Sequence, residues 1–281
     1  MTELGYHAAA MAARRLPPWL SDPITACIAD LYVATHPSRA RDVSRRLKHV
    51  WEETRSPGCP PSARETYRAF AGAVRDFLAS SGATGAPRPR VRLEGDGARH
   101  LEAARASGVS TIVVSGHFGP WEVALQWLAR EVGPVDALAA PHRWSAVERF
   151  FRAHREAHGV RTLNGGRPLA EAIEHLRTGG WVAVLADRTR RARGTALRPN
   201  DGALIVIDPT PLLLARRTRA QVLAGVAWRE ADGGVAVRFH APFLVTPDRG
   251  GLDPGQAERT LQRFFDAHVR AHPTQWFDWN R

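Results

Sequence analysis

The sequence predicts an α/β fold: a mainly parallel or mixed central sheet flanked by helices, preceded by a helical N-terminal region. Three observations carry this. From about residue 98 onward, short β-rich runs alternate with helical stretches, the pattern of the crossover units that build parallel sheets. Runs such as Thr111-Ile112-Val113-Val114 and Trp181-Val182-Ala183-Val184-Leu185 are short, apolar and rich in β-branched residues, as buried strands are. Residues 1–80, by contrast, carry no strand pattern and are punctuated by Pro17-Pro18, Pro37 and the S-P-G-C-P-P run at 56–61. A chain of 281 residues that is 44% apolar is long enough for a sizeable core.

The elements follow in order. Residues 18–34 are the most apolar early segment, yet include Asp22 and Asp30, and read as an amphipathic helix that packs on the body or lies against lipid. The S-S-G-A-T-G-A-P-R-P-R stretch at 80–90 has linker composition, which divides the chain into a helical region, 1–85, and an α/β domain, 86–281. After the strand at 111–114 come a helix from Pro120 to Arg130, a strand from Val135 to Ala139 and a helix from Ser145 to His158. A short run at Val160–Leu163, a helix over Pro168–Arg177 and the strand at Trp181–Leu185 follow. An arginine-rich loop then leads to a helix near Pro211–Arg217 and two β-runs at 221–228 and 235–239.

Charge and residue usage narrow the chemistry. Lys plus Arg number 39 against 28 Asp plus Glu, a formal charge of +11, yet there is one lysine, Lys48. Its surroundings, R-R-L-K-H-V, suit neither a phosphate-binding loop nor a Schiff base. An arginine excess suits an anionic partner: a membrane surface, a phosphate group or nucleic acid. The two cysteines, Cys27 and Cys59, make no zinc motif and no disulfide framework, which points to a reducing compartment. No stretch of 18 apolar residues occurs and no signal-peptide pattern opens the chain, so the protein is expected to be cytoplasmic, soluble or peripheral on the inner face of the cell membrane.

Functional groups in open α/β sheets gather at the carboxyl ends of strands, which directs attention to V-V-S-G-H-F-G-P-W-E after the first strong strand. Pro120 suits the first position of the following helix. His117 and Glu122 would face about 140° apart on one continuous helix. With the histidine in the loop and the glutamate in the first turn, they can converge instead, as a general base and the carboxylate that orients it. The open helix N-terminus would offer N–H groups to a developing oxyanion. The competing reading has His117 capping the helix and Glu122 complementing its dipole. Ser115 is not in a G-x-S-x-G elbow, so the simpler scheme activates a substrate hydroxyl rather than a protein nucleophile. The loop after Asp187, R-T-R-R-A-R-G, places Arg188, Arg190, Arg191 and Arg193 where they could grip phosphates. Asp187 would fix one of these arginines or stand as a second carboxylate near the base. His154 and His158, one helical turn apart, lack a third ligand, and no metal is expected.

The block G-H-F-G-P-W-E resembles the H-F-G-N-W-E block of the lipid A late acyltransferases, in the H-x4-D/E lysophospholipid acyltransferase superfamily. The similarity continues in order through Ala140-Pro141-His142, which occupies the place of an arginine-proline segment. It extends through N-G-G-R-P-L-A-E-A-I-E-H-L-R-T-G-G-W-V-A-V-L-A-D at 164–187, D-P-T-P-L-L-L-A-R-R-T-R-A-Q-V-L-A-G-V-A at 208–227 and P-T-Q-W-F-D-W-N-R at 273–281. It covers roughly residues 98–281. The resemblance implies transfer of a fatty acyl chain from an acyl carrier protein or coenzyme A thioester to a hydroxyl of a lipid or glycolipid at an anionic membrane surface. It implies no bound cofactor and no nucleic acid as partner. His117 would be the base and Glu122 its orienting carboxylate, with Gly119, Trp121, Asp187, Arg188, Arg190, Arg191 and Arg193 as substrate-binding residues. The chain departs from the pattern at Pro120, which replaces an asparagine, and at N-D-G-A-L-I-V-I-D, 200–208, which replaces an aromatic patch. A nucleic-acid-binding protein is the rival suggested by charge alone, and a relative acting on a soluble acceptor is another.

Overall fold

The computed structural model describes residues 3–54, 60–80, 89–188, 204–246 and 250–277. Four helices come first: α1 (Glu3–Arg15), α2 (Pro18–Thr35), α3 (Pro37–Thr54) and α4 (Ala63–Ala79). The breaks fall at the prolines, because a proline fits the first helical turn, where its missing N–H is not needed. A capping box starts α4: Ser62 Oγ accepts from the Glu65 amide at 3.2 Å, and the Glu65 carboxylate accepts from the Ser62 amide at 2.6 Å.

The rest alternates as the pattern requires: β1 (Val91–Leu93), α5 (Gly97–Ala106), β2 (Thr111–Ser115), α6 (Trp121–Val132), β3 (Val135–Leu138) and α7 (Ser145–Glu156). Then come β4 (Val160–Leu163), α8 (Pro168–Arg177), β5 (Trp181–Leu185), α9 (Thr210–Thr218), β6 (Gln221–Arg229), β7 (Val235–Phe239), β8 (Phe243–Leu244) and α10 (Pro254–Ala271). A short 3₁₀ turn, Pro273–Gln275, follows α10, and Trp276 and Phe277 end the described residues. The strands form one mixed sheet in the order β1-β7-β6-β2-β5-β3-β4, with β8 paired to β6. From β6 through β2, β5 and β3 to β4 every pairing is parallel; β7 and β8 run antiparallel to β6.

Pro120 does not take the expected first position of α6. It stands before α6 as its N-cap, at φ −84° and ψ 58°, and the helix begins at Trp121. The three-residue β1, the two-residue β8 and α10 have no counterpart in the sequence reading, although Asp253 and Gln256 form a capping box at the start of α10. The expected boundary near residue 85 lies outside the described residues. On either side of it, the N-terminal helices share apolar clusters with the α/β part: Val50 packs with the sheet core around Ile112 and Val182, and Ala10, Phe77 and Leu78 pack with Phe150.

Two buried histidines within this core make stability depend on pH. His154, wedged between Phe77 and Phe150, is held down at about 4 by burial, with His158 adding repulsion. Burial likewise holds His268, beside Phe118 and Trp228, at about 3. Both return to about 6.5 on unfolding, so below that pH the unfolded chain takes up protons that the folded chain refuses. Stability is expected to fall between pH 6.5 and about 4 by about 1.4 kcal/mol per pH unit for each histidine. Denaturant titrations across this range should be visibly shallower in pH for His154→Gln; an equally steep dependence in that variant would contradict the assignment.

Candidate active site

The sheet builds the site. Ser115 on β2 and Leu185 on β5 are register partners in neighbouring parallel strands, and the chain runs on two residues from each, to His117 and to Asp187. The two therefore meet at the carboxyl edge: His117 Nδ1 lies 2.8 Å from Asp187 Oδ1, and the His117 backbone amide donates to Asp187 Oδ2 at 3.0 Å. The Asp187 side chain is completely buried, while that of His117 keeps 16% exposure. Burial pushes the Asp187 carboxyl up, but the His117 charge, its two hydrogen bonds and Arg188 outweigh this and leave it below the usual carboxylate value. Asp187 is thus the ionised acceptor that fixes the histidine ring.

The C-terminal segment locks this pair. Trp276 Nε1 donates to Asp187 Oδ2 at 3.0 Å, and Phe118 and Trp276 form an antiparallel bridge. The Phe277 amide donates to the His117 carbonyl at 2.8 Å, and the Gly119 amide to the Gln275 carbonyl at 2.7 Å. Gln275 in turn bonds both backbone groups of Arg229 at the end of β6. Arg188 Nη2 donates to the Phe277 carbonyl at 2.7 Å, and Arg46 reaches from α3 to the Trp276 carbonyl at 3.1 Å. Gly119 makes the close approach possible. At φ +48° it sits where a Cβ would lie 2.6 Å from the Ala227 carbonyl oxygen, so only glycine fits between the loop and β6.

The expected pairing of His117 with Glu122 is corrected. Glu122, in the first turn of α6, is buried and bonded through both carboxylate oxygens to Arg155 at the end of α7, with Nε to Oε2 at 3.0 Å. This ion pair ties α6 to α7. The convergence inferred from the loop-then-helix geometry is satisfied instead by a carboxylate 70 residues away in sequence. Trp121 stands edge-on to the His117 ring at 5.3 Å and packs against Phe70 and Phe277. Ser115 Oγ bonds the neighbouring Gly116 carbonyl at 3.4 Å. Arg190, Arg191 and Arg193 lie outside the described residues. The His154 and His158 side chains are engaged separately: His154 Nε2 with Ser80 Oγ at 3.2 Å, and His158 Nδ1 with the His154 carbonyl at 2.8 Å.

Beside the dyad, a cavity of about 1470 Å³ opens among α1, α2, α3 and α4, lined by Ile24, Ile28, Val74 and Phe70 together with Arg46 and Trp276. His117 does not line it, but two of its neighbours do: Trp276, which holds Asp187, and Phe70, which stacks on Trp121.

With this geometry in view, the family is decided. The profile of the bacterial lipid A biosynthesis acyltransferases matches residues 4–280. The chain belongs to that family. Over 184 residues it is 28% identical to a phosphatidylinositol mannoside acyltransferase of Mycobacterium tuberculosis, covering 64% of this chain and 56% of the relative. Over 181 residues it is 27% identical to the protein of the same name in Mycolicibacterium smegmatis, covering 63% and 58%. The matched stretch thus spans little more than half the length of these relatives.

Two substitutions probe the lock. Trp276→Phe leaves Asp187 Oδ2 with a single donor and is expected to destabilise the fold by about 1–3 kcal/mol in denaturant titration. Gly119→Ala, strained and in collision with β6, is expected to cost at least about 2 kcal/mol. A Gly119→Ala protein as stable as the parent would show that the loop does not press on β6.

Proposed function

We propose that this protein transfers a fatty acyl group from a thioester donor, an acyl carrier protein or coenzyme A conjugate, to a hydroxyl of a glycolipid. The observation that carries this reading is the His117–Asp187 pair at the carboxyl edge of the sheet, in a chain of the lipid A acyltransferase family. The relatives are named for a phosphatidylinositol mannoside, and that class of acceptor is the one carried over.

The chemistry follows from the ring's two nitrogens. Nδ1–H donates to the ionised Asp187, so Nε2 presents its lone pair to an incoming alcohol. As the alcohol oxygen bonds to the thioester carbonyl carbon, its proton passes to Nε2, and Asp187 steadies the imidazolium. Collapse of the tetrahedral intermediate breaks the C–S bond, and the departing thiolate takes the proton from Nε2. Ester and free thiol are the products, and His117 is restored. The N-terminal turn of α6, with Pro120 as its N-cap and no side-chain cap, supplies amides for the oxyanion. No metal or organic cofactor enters this scheme. The cavity beside Trp276 takes the acyl chain, and the arginines at 188–193 meet donor phosphates.

Attachment to the membrane is proposed through α2. No helix among the described residues is long and apolar enough to cross a membrane. Yet Ile24 and Ile28, which also line the cavity, share one exposed face of α2 with Leu31, and Trp19 is exposed at its start. On α3, packed beside it, Arg41, Arg45 and Lys48 are exposed. Apolar insertion together with cationic attraction is what peripheral binding to anionic lipid requires. Cosedimentation with phosphatidylglycerol vesicles is expected to drop at least about tenfold in the Trp19→Ser/Ile28→Ser/Leu31→Ser protein. Unchanged sedimentation would rule α2 out as the contact.

Steady-state transfer to a phosphatidylinositol mannoside separates the two carboxylates. His117→Ala and Asp187→Asn are expected to lower kcat about 10²–10⁴-fold. Glu122→Gln, which breaks the buried bond to Arg155, is expected to lower stability by about 3 kcal/mol while keeping kcat within about tenfold. A folded His117→Ala protein with full transfer activity would sink the reading.

A further inference from the structure

A second histidine–carboxylate pair stands on the same edge of the sheet. His142, in the loop leaving β3, sets its ring Nδ1 2.8 Å from Glu148 Oε2, and its backbone amide donates to the same oxygen at 2.9 Å. Asn164, the first residue beyond β4, donates its side-chain amide to Glu148 Oε1 and accepts from Arg152 Nη2 at 2.6 Å. Three elements therefore converge on one carboxylate: the β3–α7 loop, the end of β4 and the first turns of α7. Burial raises the Glu148 carboxyl, but the His142 and Asn164 hydrogen bonds outweigh it and bring it to about 2, so it is a fixed anion.

This cluster is more than a loop tie, for which the backbone amide alone would suffice. Glu148 is a mostly buried acceptor, with 17% of its side chain exposed, whereas His142 keeps 32%. With Nδ1 committed to Glu148, Nε2 is the ring atom left to meet a ligand. Phe151, with its ring centre 4.6 Å from the imidazole, supports the ring from one side. The register gives the cluster its place: Val114 on β2, Val184 on β5 and Leu138 on β3 lie in line across the sheet. His117 and His142 follow the ends of strands two positions apart, about 10 Å at the usual strand spacing. A sugar-bearing headgroup lying along this edge of the sheet would meet both loops, with one of its hydroxyls directed to His117.

We propose that His142, oriented by Glu148 and Asn164, hydrogen-bonds a ring hydroxyl of the acceptor's sugar or cyclitol headgroup and so determines which polyol is presented to His117. A ring nitrogen on a fixed mount, flanked by an amide, a guanidinium and an aromatic face, matches vicinal hydroxyls rather than a phosphate, which Glu148 would repel. The proposal rests on the acyl-transfer reading above, and two measurements on the full chain keep the two apart.

The first is saturation-transfer NMR with methyl α-mannoside and with myo-inositol, which reads the headgroup contact whether or not transfer occurs. The second is the kinetics of transfer to a phosphatidylinositol mannoside. His142→Ala is expected to abolish saturation transfer to the probe that binds and to raise the acceptor KM about tenfold, the loss of one hydrogen bond, with kcat and donor KM little changed. His142→Gln, which keeps a hydrogen-bonding group, is expected to recover part of both, and its folding is checked by its melting curve. Where the wild type transfers, the acceptor KM decides: a value unchanged in His142→Ala overturns the subsite and leaves the acyl-transfer reading standing. Where the wild type binds a probe without transferring, loss of that binding in His142→Ala supports the subsite and overturns the acyl-transfer reading alone. A wild type that neither binds nor transfers overturns both.

Discussion

A carboxylate with no solvent contact has to be satisfied from within the protein, and the arrangement around Asp187 follows from that requirement. Its two oxygens collect the His117 ring nitrogen, the His117 amide and the Trp276 indole N–H. Two of these donors come from His117 and the third from the C-terminal segment, so meeting the requirement folds the β2–α6 loop, the end of β5 and the C-terminal segment onto one point. An unpaired buried anion would cost several kcal/mol. The same bonds that remove this cost also leave the histidine ring with one orientation. Satisfying the buried charge and orienting the His117 ring are here a single set of hydrogen bonds.

Glu122 obeys the same rule with a different partner. Buried at the start of α6, it needs a cation, and Arg155 supplies one from α7 through two bonds. The two carboxylates are thus given separate tasks by their neighbours: Asp187 holds the His117 ring, and Glu122 holds α6 to α7. Removing either partner of such a pair leaves the other charge stranded, so both are sensitive positions for different reasons.

Much of this was legible in the sequence. The helices at 168–177 and the strands at 160–163, 181–185 and 235–239 are where pattern and punctuation put them, because apolar periodicity and proline placement act locally. His117 stood out as a polar residue at the end of a buried strand, and the resemblance of its surroundings led to the right family. The pairing of His117 with Asp187 was not legible, since it depends on β5 lying beside β2, and sheet order is a property of the whole fold. Asp187 carried one signal: like His117, it follows the last residue of a buried strand by two positions. The clamp by Trp276 and Phe277 was beyond local reasoning for the same reason. β1 and β8 are too short for alternation to show.

The proposed chemistry turns on the state of one imidazole. If Asp187 accepts from Nδ1, neutral His117 carries its proton there and keeps Nε2 as a bare acceptor for the alcohol. Nitrogen-15 NMR of histidine-labelled protein at neutral pH, with His117 assigned by comparison with His117→Gln, reads this directly. The expected spectrum has His117 with a pyrrole-type Nδ1 and a pyridine-type Nε2, and the assignment should be lost or inverted in Asp187→Asn. A His117 protonated on Nε2 in the parent protein, or a tautomer indifferent to Asp187, would contradict it.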